Sequence, residues 1–110
     1  MLYKAKLRME AYYMKNTKIN WETVKPEEVK LEDLESVPYS GSYKGGGWWV
    51  CGKLYLIYKI NPEKYLSLSA SELNDYTEPY FRNQDITMHM FEWANAILKS
   101  KLYEAGKIKS

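Results

Sequence analysis

The sequence predicts an α+β domain, an antiparallel sheet of about four strands with a long C-terminal helix packed on one face. Three observations predict it. Residues 3–13 alternate with period two, apolar side chains at the odd positions and charged ones at 4, 6, 8 and 10. Residues 48–60 are dense in aromatic and β-branched residues. Residues 85–105 carry apolar side chains at helical spacing. Strands followed by helices read as α+β.

The first strand places Tyr3, Ala5, Leu7, Met9, Ala11 and Tyr13 on one face and Lys4, Lys6, Arg8 and Glu10 on the other. Polar Lys15, Asn16, Thr17 and Lys18 suit a turn, and Ile19, Trp21 and Thr23 alternate again. A hairpin follows, with residues 18–24 pairing back on the first strand. Pro26, with Glu27 and Glu28 behind it, opens a short helical segment that ends before Pro38. Residues 38–47 read as a flexible Gly-rich loop.

Residues 48–60 read as the central strand. Val50, Leu54, Leu56, Tyr58 and Ile60 form one face; Trp49, Cys51, Lys53, Tyr55, Ile57 and Lys59 form the other. Gly52 marks a bulge or bend. Asn61, Pro62, Glu63 and Lys64 make a turn, and residues 65–68 return as a further strand. Ser69 and Glu72 form a capping box, with Leu68 and Leu73 as its hydrophobic staple, for a helix from 70 to about 77 that ends near Pro79. Asp85 caps the last helix, which runs through about Ala105. Its stripe is Ile86, Met90, Trp93, Ala94, Ile97 and Leu98, with Phe91 and Leu102 at the margin. Gly106 occupies the left-handed C-terminal position, and residues 107–110 form a frayed tail. A charge at Leu7, Leu56 or Ile97 is expected to unfold the domain.

The 110 residues fit a single domain, 1–110, without internal repeats. No apolar run approaches a membrane span, and no signal-peptide core follows Met1. One Cys excludes an internal disulfide framework, and one His removes most metal and acid–base constellations. No cofactor or metal is expected. Glu27, Glu28, Glu32, Asp33 and Glu35 lack calcium-loop spacing. Gly45, Gly46 and Gly47 lack the Gly-Lys-Ser/Thr ending of a phosphate loop.

Four Trp, eleven Tyr and two Phe exceed what a core of this size needs, and surplus Tyr and Trp collect at contact surfaces. The net charge of +2 hides a segregated pattern. The predicted strands are basic and the helical connections acidic. On the sheet face opposite the helix, Lys4, Lys6, Arg8, Lys53 and Lys59 would surround Trp49 and Tyr55, with Lys44 in the neighbouring loop. Lysines interleaved with rings suit single-stranded nucleic acid. Tyr12, Trp49 and Tyr55 equally suit a protein interface.

Lys and Glu dominate the charges, Gln and Cys occur once each, and stretches such as Tyr55-Leu56-Ile57-Tyr58-Lys59-Ile60 are rich in Tyr, Ile and Lys. In this the chain resembles small proteins encoded by viruses of hyperthermophilic (crenarchaeal) archaea. The resemblance is compositional and transfers no functional residue. It implies expression in the cytoplasm of a host cell, with nucleic acid or host proteins as partners.

The function expected is that of a small non-enzymatic interaction module acting through an aromatic sheet face or edge. A protein partner, a second copy included, is favoured over nucleic acid on the basic aromatic strand face. A small hydrolase or nuclease using His89, Asp85 or Cys51 is a third reading.

Overall fold

Ser42 closes the glycine-rich approach by capping a helix, not by leading into a strand. A computed structural model describes residues 19–109. In it the Ser42 hydroxyl accepts the amide of Gly45 at 3.1 Å, and helix α1 runs Tyr43–Ile60. Helix α2 spans Pro62–Ser67, α3 Ala70–Phe81 and α4 Met88–Glu104. Two 3-10 turns, Pro26–Glu28 and Leu31–Ser36, precede α1.

Among the described residues there is no strand, so the α+β expectation is overturned. Residues 48–60 bury Trp48, Val50, Cys51, Leu54, Ile57 and Tyr58. Those positions recur every three or four residues, the period of one helix face. Leu56 and Ile60, assigned to a buried strand face, are 44% and 62% exposed. Aromatic and β-branched composition favours strands, but packing across a helical face overrides that preference. Residues 18–24 do not form the return strand of a hairpin where they are described. Asn20 instead turns the chain, its side chain accepting from Glu22 N–H and its carbonyl from Val24 N–H. Residues 65–68 likewise are not a strand: Tyr65 sits inside α2, where Asn61 caps Lys64. The strand assigned to residues 3–13 lies outside the described residues.

The glycines explain how α1 fits. A Cβ at Gly46 would come within 2.8 Å of Met90 Cε, and one at Gly47 within 3.2 Å of the Trp93 ring. Bare backbone therefore lets α4 side chains lie against α1. Tyr43 stacks on His89 and, about one turn further along each helix, Trp48 meets Trp93. The two helices thus run parallel, with α2 and α3 as the crossover between them. On another side of α1, Gly52 admits the carbonyl of Leu34, which would lie 2.6 Å from an added Cβ. Asp33, buried, accepts the Lys30 amide at 2.9 Å and closes that 3-10 turn.

The C-terminal half follows the sequence closely. Ser69 and Glu72 form the reciprocal capping box, and the Ser69 bonds hold the Glu72 carboxyl below its ordinary range. Gly106 adopts φ +73°, and Lys107 N–H returns to the carbonyl of Leu102. Two boundaries differ. Helix α3 continues through Pro79 to Phe81, and Thr87 rather than Asp85 caps α4 by accepting from Met90 N–H. The buried stripe of α4 is also rotated. It runs through Phe91, Ala94, Leu98 and Leu102, leaving Trp93 and Ile97 half-buried.

Candidate functional site

Three tryptophans from three elements meet at one end of α1. Trp48 is buried between Trp21, with ring centroids 5.4 Å apart, and Trp93, at 4.9 Å and nearly perpendicular. These rings floor an open groove of about 420 Å³ between residues 21–26, the start of α1 and the first half of α4. Tyr43 and His89, both exposed, stack at its rim with centroids 5.9 Å apart. Lys25, Lys44 and Glu22 are the charged side chains on its wall.

Local contacts hold the groove open. Glu22 Oε1 accepts hydrogen bonds from the Ser42 and Ser40 hydroxyls, which ties residues 20–24 to the start of α1. At the other end of the segment, buried Lys101 donates from Nζ to the Pro26 carbonyl at 2.6 Å. A charge-assisted bond of this kind is about twice as strong as a neutral one. Trp21 is therefore held against Trp48 by two anchors, one at the residues capping α1 and one from α4.

The residues expected at a basic aromatic face are divided. Lys4, Lys6, Arg8 and Tyr12 lie outside the described residues. Lys44 lines the aromatic groove. Trp49, Lys53, Tyr55 and Lys59 line a second, smaller groove beside the Leu31–Ser36 turn. They share it as neighbours on a helix, not as alternating positions of a sheet. Lys53 lies over the Trp49 ring and Lys59 over the Tyr55 ring, at 5.8 and 4.7 Å from the centroids. Each pair is four apart, one turn of α1. Lys59 also pairs with Glu35 at 2.8 Å. Trp49 packs edge-on against Tyr39 and Phe81, and Tyr55 stacks on Tyr58. These rings are largely spent on intramolecular contacts.

The residues weighed for catalysis are not assembled. His89 is exposed at the groove rim, and Asp85 stands in the loop before α4. Cys51 is fully buried, and burial pushes its thiol up to about 12, against a smaller opposing pull from the Lys101 charge. A thiol held protonated is a packing group, not a nucleophile. Nearby Tyr65 donates to Asn95 Oδ1 at 2.7 Å, and burial, then Cys51, raise its hydroxyl above the ordinary range. Among the described residues no cluster of three or more His, Cys, Asp or Glu could hold a metal ion. Nor is any helix there long and apolar enough to cross a membrane.

Sequence reasoning missed Trp21, Tyr43, Trp48 and Lys101 as site residues. The Trp48-Trp49 pair is the visible signal: on a strand Trp49 would face outward, whereas on α1 Trp48 turns toward Trp21 and Trp93. No family model matches the chain, and neither a curated protein nor a solved structure shows significant similarity to it.

Proposed function

We propose that this protein is a small helical binding module that docks a segment of a protein partner in the groove of Trp21, Trp48 and Trp93. One observation carries the reading: a groove of about 420 Å³ has a tryptophan floor and an exposed, stacked Tyr43–His89 rim. The exposed Tyr43 and His89 rings supply rigid aromatic contact above a packed apolar floor, as interface hot spots do. Prepacking of Trp48 by its two neighbours lowers the ordering cost on binding. A cytoplasmic setting goes with this reading, and a single free, buried Cys51 suits a reducing compartment.

Selection of peptides from a random 12-residue display library tests the reading. Selected peptides should lose about tenfold or more in affinity for the Tyr43→Ala/His89→Ala double variant. Both side chains are exposed, so the fold should survive, which circular dichroism checks. Peptides that bind the variant equally well would place recognition elsewhere.

Nucleic-acid binding is the second reading, and one observation favours it. Lys53 with Trp49 and Lys59 with Tyr55 alternate cation and ring along the second groove. It predicts salt-sensitive retention of a single-stranded oligonucleotide that weakens on Lys53→Glu. Unchanged retention by Lys53→Glu would remove that surface.

A further inference from the structure

The aromatic groove has a chemical polarity beyond its apolar floor. Its wall carries two lysines, Lys25 and Lys44, and one carboxylate, Glu22. Glu22 is already engaged by the hydroxyls of Ser40 and Ser42. Neither lysine forms an ion pair among the described residues, whereas Lys59 and Arg82 both do. Both long helices also begin at this rim, with Tyr43 and Lys44 in the first turn of α1 and His89 and Met90 in that of α4. Their dipoles add positive potential to that of the lysines. The stretch of two 3-10 turns that follows Lys25 in the chain differs: it carries Glu27, Glu28 and Glu32 against one lysine, Lys30, all exposed. Two lysines against one hydrogen-bonded carboxylate leave the mouth net positive beside a mostly acidic stretch, and such a contrast selects a partner by charge.

From this, resting on the docking role given to the same groove, we propose that the segment it takes is an acidic peptide with one apolar anchor side chain. The anchor lies on the floor formed by Trp21, Trp48 and Trp93, and flanking Asp or Glu residues meet Lys25 and Lys44. Single-stranded nucleic acid, the other anionic aromatic ligand, fits this groove less well. Trp21 and Trp48 are 8% and 2% exposed, too closed to offer faces for stacking bases. The exposed Tyr43 and His89 rings are stacked on one another. Two lysines cannot track a run of phosphates, while they do suffice for two carboxylates.

The test sequences the peptides selected from the random 12-residue library and titrates the best of them. Enrichment of Leu, Ile, Phe or Trp flanked by two or more Asp or Glu is expected. The Lys25→Glu/Lys44→Glu double variant should bind those peptides about tenfold or more weakly, and raised salt should weaken the native protein in the same direction. Both lysines are exposed, so the double variant should keep its helical spectrum. Enrichment of neutral or basic peptides that still depend on Tyr43 and His89 would overturn the acidic occupant and leave the docking role standing. Selected peptides indifferent to Tyr43 and His89, or no enrichment, would overturn both. Tighter binding of a 20-residue oligo-dT than of any selected peptide, lost on the Lys25→Glu/Lys44→Glu change, would assign the groove to nucleic acid instead.

Discussion

Lys101 Nζ donates to the Pro26 carbonyl at 2.6 Å, joining residues 75 positions apart in the chain. The lysine is only 8% exposed, so most of its long side chain is packed away from water with this contact at its tip. Lys101→Met keeps the stem but leaves the Pro26 carbonyl without its donor. A loss of about 1–3 kcal/mol in unfolding free energy is expected. Peptide affinity at the groove should fall as well, because Pro26 anchors the segment that holds Trp21. Denaturant unfolding and one titration check both effects.

Gly52 is the point of closest approach between α1 and the Leu31–Ser36 turn. Ala is the better helix former by about 1 kcal/mol in an open helix. Here its Cβ would press on the Leu34 carbonyl, a backbone atom that cannot swing away. Gly52→Ala should therefore destabilise the protein by about 1–3 kcal/mol. Gly41→Ala, with nothing within 4 Å of the added carbon, should be near neutral. Equal effects at the two glycines would show that the turn is not seated on α1.

The helical reading of residues 48–60 separates two leucines that a strand would place on one face. Leu54 is fully buried and Leu56 is 44% exposed. Leu54→Glu should abolish cooperative unfolding, since an unpaired carboxylate would be buried. Leu56→Glu should cost less than about 1 kcal/mol. A strand predicts equal damage from both.

Cys51 predicts an alkaline limit to stability. Its thiol sits at about 12 in the folded protein against 9.0 for an ordinary cysteine. A raised acid holds its proton more tightly when folded, so its contribution is complete below the ordinary value. It declines as pH rises toward the folded one, by about 1.4 kcal/mol per pH unit. Tyr65, raised in the same direction, adds to the decline. Cys51→Ala should show a shallower fall between pH 9 and 11, whatever its starting stability. In the native protein at neutral pH, a thiol-modifying reagent should react only as fast as the protein opens.

Local chemistry made the second half of the fold legible. Asn61-Pro62 reads equally as a turn before a strand and in fact starts α2, whereas the Ser69–Glu72 box and Gly106 at the end of α4 each act within a few residues. Their signals survive whatever the rest of the chain does. The first half depended on distance. Gly45, Gly46 and Gly47 read as a loop because isolated glycines disfavour helices. Gly46 and Gly47 make room for the Met90 and Trp93 side chains, more than forty positions away, and Gly45 for Glu22 and Ser40. With a loop at those glycines, Trp48 to Ile60 has only its composition to speak for it, and that composition is strand-like. Among the site residues, the Trp pair was visible, but a strand and a helix send its two rings to different places. In sequence Lys101 resembles any solvated lysine; only the fold brings the Pro26 carbonyl to it.

The four tryptophans give the most direct test of the central claim. Trp21, Trp48 and Trp93 belong to the groove, and Trp49 faces the second groove across α1. Their indole N–H signals in a nitrogen-15 spectrum can be assigned by single Trp→Phe replacements. On titration with the best library-selected peptide, the signals of Trp21, Trp48 and Trp93 should move while that of Trp49 stays in place. Movement of Trp49 alone, with the other three unmoved, would contradict the account.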